Sequence, residues 1–250
     1  MTNHARTSHP PLAAVIFDIG GTLIYPTTSQ EDNAAHLERW LRAQGLPVEL
    51  GAAVRDARRW MWAMTWSTGR QYTTQEAIRR AFEQLALPAP AAALVETAEH
   101  VFFAPELAGY RTFPESLPLL RRLRAARIRT ACVSNTSSHW LIEQIVDRMG
   151  FRPYLDPVVS SAGFGRIKPD PGIFRSVLGR WSVPPERAAM IGDTLDADIA
   201  GGRDVGMRTI YVTMTPNPDN VNHRHIYADV DAPTLEDAGR ILLRWAGRTG

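Results

Sequence analysis

The feature that most constrains this chain is a set of short apolar runs, each ending on a small or charged polar residue. Leu12–Phe17 ends at Asp18, Thr130–Val133 at Ser134, and Ala188–Ile191 at Gly192-Asp193. Runs this short and continuously apolar read as strands buried on both faces, because a half-solvated strand would alternate. Further strands are predicted at 158–160 and 209–212. Helical periodicity fills the intervals, over about 115–126, 138–149, 172–181, 196–205 and 234–245. Strands alternating with helices predict an α/β fold with a mostly parallel sheet covered on both faces. Right-handed connections then make it a Rossmann-like, doubly wound core.

Between the first strand and the rest the texture is helical throughout. Helices are predicted near 34–41, 50–66, 74–85 and 90–103; Thr73 or Thr74 can cap the third, and Pro88 and Pro90 separate it from the fourth. The spacing predicts a four-helix cap inserted into the core. The expected division is a flexible N-terminal tail at 1–11, a core at 12–27 and 110–250, and a helical cap domain at 28–109.

Composition excludes several classes of function. Hydrophobic residues make up 44% and charged residues 22% of 250, a globular mix that argues against disorder. Net charge is only +2, and the Arg excess is scattered through predicted helices, so a nucleic-acid partner is not expected. No stretch approaches the roughly 18 apolar residues of a membrane span. The first apolar run stops at Asp18, too short for a signal-peptide core. The single cysteine, Cys132, excludes an internal disulfide and suits a reducing compartment, where it is expected to serve packing. The expectation is a cytoplasmic monomer or homodimer with no membrane partner.

Ligands of an open parallel sheet sit beyond the carboxyl ends of its strands. Those ends carry Asp18, Ser134 and Asp193, and the segment Gly165–Pro171 adds Lys168. Of 28 basic residues, 27 are Arg and only Lys168 is Lys. One reading is codon bias with a remnant. The other is a site that needs a compact ammonium, which a planar guanidinium does not imitate. Two carboxylates, a hydroxyl and an ammonium in one crevice make a site for a divalent metal and an anion.

In order and spacing these groups resemble the four motifs of the haloacid dehalogenase superfamily, in its phosphatase-like branch with a helical cap between the first two motifs. The motifs are Phe17-Asp18-Ile19-Gly20-Gly21-Thr22-Leu23, Val133-Ser134-Asn135-Thr136, Lys168-Pro169-Asp170-Pro171 and Ile191-Gly192-Asp193-Thr194-Leu195-Asp196-Ala197-Asp198. The resemblance extends from about Leu12 to Val212. It implies a Mg²⁺-dependent hydrolase of a small phosphorylated metabolite, with Asp18 as nucleophile and an aspartyl-phosphate intermediate. Ser134 and Lys168 would be catalytic with it. Phosphate oxygens would be held by Gly21, Thr22, Ser134, Asn135 and Lys168. The metal would be held by Asp18, the Gly20 carbonyl and Asp193, with Asp198 orienting metal waters or Lys168 and Asp196 the less suited by spacing.

The chain departs from that pattern at Gly20, where phosphatases of the family usually carry a second Asp as proton donor. General acid–base help is commonly worth about 10²–10⁴ in rate. Three readings stay open: an ester whose leaving group departs unaided, an acid supplied by the cap from Glu31, Asp32 or His36, or a weakly active or non-catalytic phosphate-binding relative. The family's phosphonate hydrolases use a cap Lys, which this cap lacks. Its metal-free dehalogenases carry Tyr at this position and lack the phosphatase-like fourth motif, which leaves dehalogenation as a further alternative.

In the cap, Trp40, Trp60, Trp62 and Trp66 are expected to be bundle core. The other reading turns Trp62 and Trp66, with Arg55, Arg58 and Arg59 of the same helix, toward the site, where they favour a ring-bearing or anionic group. Arg70 and Tyr72 could reach the crevice or remain solvated. His223 and His225 mimic a metal pair but lack a third ligand.

Overall fold

A computed structural model describes residues 10–27 and 30–248. Six parallel strands form the main sheet: β1 (Ala14–Phe17), β4 (Arg129–Ser134), β5 (Val158–Ser160), β6 (Ala188–Gly192), β7 (Arg208–Val212) and β8 (Val230–Ala232). Their order is β5-β4-β1-β6-β7-β8. β1 is central and wholly buried, with Ala14–Phe17 in register against Arg129–Cys132 on one side and Ala188–Ile191 on the other. The chain winds outward from β1 first through β4 and β5, then through β6, β7 and β8. The winding direction therefore switches between β1 and β6, which is where an open parallel sheet places a ligand crevice.

Helices cover both faces of the sheet. α5 (Ser116–Ala125), α6 (His139–Arg148) and α10 (Leu235–Trp245) lie on one side, while α8 (Pro171–Trp181) and the short α9 (Gly201–Val205) lie on the other with the short α7 (Ser161–Phe164) following β5. Their starts follow from local chemistry. Ser138, Asp170 and Thr234 each accept a hydrogen bond from a backbone N–H of the first turn, and Pro171 opens α8 where no amide donor is needed.

Residues 196–205, expected to be one helix, divide. Leu195–Ala200 forms a π-helical turn, and α9 follows it. The Asp198 carboxylate accepts from the Thr194 amide at 3.1 Å at the start of this wider turn. β8 was not expected because three residues, one of them Asp231, carry no usable periodicity.

Between the two-residue strands β2 (Ile24–Tyr25) and β3 (Arg111–Thr112), which pair antiparallel, stand four helices: α1 (Gln30–Ala43), α2 (Glu49–Thr68), α3 (Thr74–Gln84) and α4 (Ala92–Gly109). α1 packs on α4 and α2 on α3. α2 stops at Gly69, whose left-handed φ of 68° suits a residue without Cβ. α3 starts with a capping box in which Thr73 and Glu76 exchange hydrogen bonds with each other's backbone. The α2–α3 joint is tied to the core: the Gln71 amide donates to Gly165 O at 2.9 Å, Ile167 N to Gly69 O at 3.1 Å, and Thr74 N to Ser137 O at 3.0 Å. The insertion therefore rests on the segment that carries Lys168. Among the described residues no helix is long and apolar enough to cross a membrane.

Candidate active site

Asp18 leaves β1 and Asp193 leaves β6, so the two carboxylates stand on either side of the switch point. Lys168 enters from the loop before α8 and is almost wholly buried, at 2% exposure. Its ammonium donates to Asp18 Oδ1 at 2.7 Å, to Asp198 Oδ1 at 2.6 Å and to the Val133 carbonyl at 2.8 Å, which uses all three of its donors. Burial alone would pull such an ammonium down, but the charges of Asp18 and Asp198 outweigh it and hold Lys168 above its ordinary value.

Asn135 fixes the lysine from behind. Its side-chain amide donates to Lys168 O at 3.1 Å and accepts from Lys168 N at 2.7 Å. The Asn135 side chain is thus occupied by the Lys168 backbone. Ser134 and Asn135 both line the crevice, of about 250 Å³, together with Asp18, Gly20, Lys168 and Asp193.

Oxygens of Asp18, Asp193 and Asp198 lie within 4.8 Å of one another. Burial and then the neighbouring Asp18 charge push the Asp193 carboxyl up to about 7. Burial and Asp18 also raise Asp198, against the pull of Lys168. Three buried carboxylates facing one ammonium are short of positive charge, and their donors are all hard oxygens, a set that fits a divalent cation of the Mg²⁺ type. Asp198 has both oxygens engaged, by Lys168 and by the Thr194 amide, and does not border the crevice. Its position is that of a holder of Lys168. Asp18 and Asp193, with the Gly20 backbone between them, face the open space.

The turn after β1 is shaped around Asp193. Gly21 has φ +70°, and a Cβ there would fall 2.3 Å from Asp193 Oδ2. Gly21 and Thr22 do not line the crevice; the Thr22 hydroxyl is buried without a partner. Gly20 differs, since a Cβ built there meets nothing within 4 Å.

Several side chains that border or support the crevice carry no clear sequence signal. Asn217 donates to Asp193 Oδ2 at 2.9 Å and Asn220 to the Asp193 carbonyl at 2.8 Å. They lie in a Pro/Asn-rich stretch that reads as an ordinary loop, and only its position after β7 hints at the site. Trp62 and Trp66 both border the crevice; Trp62 also packs against the bundle core as expected, while Trp66, 53% exposed at the crevice mouth, is not bundle core. Trp60 is as expected, packed edge-on against Tyr72 and under Arg80.

Arg70 pairs with Glu76 and covers Tyr72, and neither residue borders the crevice. His36 bonds Arg39 on the surface of α1, and the side chains of Glu31 and Asp32 lie outside the described residues. The ionisable groups that do share a cavity with Gly20 are Arg58 and Glu106 of the insertion and Tyr110 just after it. His223 lies 3.7 Å from Asp196 and joins no metal-type cluster among the described residues. Cys132 is buried, and burial pushes its thiol up to about 12, which leaves it inert.

A family model for haloacid dehalogenase-like hydrolases matches residues 12–206. The chain belongs to this family. It is 28% identical over 220 residues to a glyceraldehyde 3-phosphate phosphatase of Methanopyrus kandleri, covering 84% of this chain and 90% of that protein. It is 29% identical over 204 residues to a ribulose-1,5-bisphosphate 5-phosphatase of Halopiger xanaduensis, covering 79% and 83%. In fold it is similar to a 2-haloacid dehalogenase from Pseudomonas syringae pv. Tomato DC3000, with TM-score 0.69 and 24% identity over 94% of this chain and all of that one. The four sequence motifs therefore belong to a hydrolase of this family.

Proposed function

We propose that the protein is a Mg²⁺-dependent phosphatase of a small phosphorylated metabolite, working through an aspartyl-phosphate on Asp18. The observation that carries this reading is the Lys168 ammonium, buried and bonded to Asp18 and Asp198, beside an Asp193 carboxyl that forms no direct ion pair among the described residues. The curated relatives named as phosphatases support the reaction class. Asp18 and Asp193, with the Gly20 carbonyl, would hold the metal. Bound there, Mg²⁺ supplies the positive charge that lets an anionic carboxylate approach an anionic phosphate.

Asp18 attacks phosphorus in line as the ester P–O bond breaks. Lys168 keeps the nucleophile aimed, and stays protonated throughout. Ser134 and the main-chain N–H of Asn135 hold the transferring oxygens. Water then attacks the acyl phosphate, releasing phosphate and restoring Asp18. With glycine at position 20, the leaving oxygen takes its proton from water, so esters with good leaving groups are favoured. Residues 28–109 act as a cap over the crevice, and this cap presents Trp62 and Trp66 to the substrate.

Two measurements test this reading. Asp18→Asn should lower phosphate release from p-nitrophenyl phosphate by at least about 10⁴-fold, and EDTA should abolish it in the wild type. Turnover that survives both treatments excludes the reading, and metal-free release of halide from a 2-haloacid would replace it with dehalogenation.

A further inference from the structure

Past Gly20, Ser134 and Asn135 the crevice meets a second cavity of about 200 Å³, roofed by the helical insertion. That volume suits a few-carbon alcohol and is small for anything drug-sized. One wall is apolar, with Ile24, Leu141 and Ile145; the other carries Arg58, Glu106 and Tyr110.

Arg58 is 9% exposed, and burial pulls its guanidinium down to about 10. It lies over the Phe102 ring at 4.1 Å and donates to the Thr74 hydroxyl. Those contacts fix its position. Glu106 and Glu99 attract it through space, each held in place by neutral donors: Asn33 and Tyr110 donate to Glu106 at 2.6 Å each, and Gln75 to Glu99 at 2.7 Å. Among the described residues Arg58 forms no ion pair. A buried guanidinium whose countercharges stand off at a distance can gain direct, two-donor hydrogen bonds from a ligand anion.

The position of Arg58 on α2 relates it to the substrate path. Arg58, Trp62 and Trp66 are spaced by four and share one helix face. Trp66 stands at the crevice mouth, Trp62 borders both crevice and cavity, and Arg58 lies in the cavity wall. We infer that Arg58 selects the substrate by binding the carboxylate of a small phosphorylated hydroxy acid whose phosphoryl end rests at Asp18. The planar guanidinium matches a carboxylate with two parallel donors. A second phosphate is disfavoured because Glu106, in the same wall, repels a dianion more than a monoanion. This inference rests on the phosphatase reading for its reaction, although binding alone can test it.

The experiment compares 2-phosphoglycolate and 3-phosphoglycerate with glycerol 3-phosphate, which lacks the carboxylate. With Mg²⁺ present, the wild type should prefer the acids by at least tenfold in kcat/KM. Arg58→Met should reduce that preference by roughly 10–100-fold, through KM, the usual range for losing a charged hydrogen-bond partner. Arg58→Lys, which keeps charge and stem and so guards against a folding defect, should retain part of it. Equal kcat/KM for the acids and glycerol 3-phosphate in the wild type, or a preference unchanged in both variants, overturns the assignment.

Calorimetric binding of the same compounds to Asp18→Asn gives a readout that needs no turnover. Tighter binding of the acids, lost in Asp18→Asn/Arg58→Met, supports the carboxylate subsite even if the wild type releases no phosphate and the phosphatase reading fails. Equal binding of all three compounds overturns the subsite while leaving that reading intact.

Discussion

The crevice at the strand ends and the cavity under the helical insertion are built on opposite plans. In the crevice three of the charged groups are held by several partners: Lys168 by three acceptors, Asp198 by two donors, and Asp193 by Asn217 and, at its backbone, Asn220. In the cavity Arg58 rests on a ring and a hydroxyl, and among the described residues no carboxylate contacts it directly. Dense wiring holds reacting atoms in one arrangement, as chemistry requires. Sparse wiring leaves a charge for the ligand to complete, which is how a site discriminates among ligands.

The largest effect that bears on this contrast is expected from Lys168→Met. Removing the ammonium leaves Asp18 and Asp198 buried without a cation, and breaking such a pair costs about 3–5 kcal/mol. Urea denaturation should register that loss, accompanied by near-complete loss of turnover. A stability change below about 1 kcal/mol would show that the crevice is not held together as described.

The two plans also differ in how much of them the sequence discloses. Asp18, Ser134 and Asp193 are legible because each ends an apolar run, a local signal that survives without coordinates. Lys168 is legible because it is the lone lysine in an arginine background. Asn217 and Asn220 are not, since loop asparagines usually face water and only the β7–β8 connection brings these under Asp193. For α2, periodicity puts Arg58, Trp62 and Trp66 on one face but does not say which way that face points. Such a face ordinarily packs into the core, and Trp62 does so while also bordering the crevice, whereas Trp66 lies exposed at the crevice mouth.

Gly20 stands where the two regions meet. Since a Cβ there meets nothing within 4 Å and the residue is not among those with positive φ, Gly20→Asp should fold unstrained. It should raise kcat for esters with poor leaving groups by roughly 10–100-fold and change aryl phosphate turnover far less. The absence of any gain would mean that a group of the cavity, with Tyr110 and Glu106 the nearest candidates, already delivers the proton.

A smaller effect concerns the proton on Asp193. Its carboxyl is raised to about 7 in the folded protein, above its unfolded value. The associated stability is therefore present in acid and lost as pH rises through about 7. A bound cation replaces that proton. Mg²⁺ should accordingly raise Tm by several degrees at about pH 8 and by much less at about pH 5, as differential scanning fluorimetry can follow. Equal shifts at both pH values would place the metal elsewhere.

The smallest expected effect is at the crevice mouth. Trp66 is half exposed, so Trp66→Ala should change stability by no more than about 1 kcal/mol. The same substitution should raise KM for substrates bulky enough to reach it. A large destabilisation would return Trp66 to the bundle core and remove one end of the α2 stripe.

The antiparallel pair of β2 and β3 has a consequence of its own. Ile24 faces Thr112 and Tyr25 faces Arg111, so the chain leaves the sheet and returns to it at adjoining points. A segment whose two ends touch can be excised or exchanged for another as a cassette, without altering the register of any parallel strand. In such a chain the machinery that breaks the bond and the part that chooses the molecule can be inherited separately.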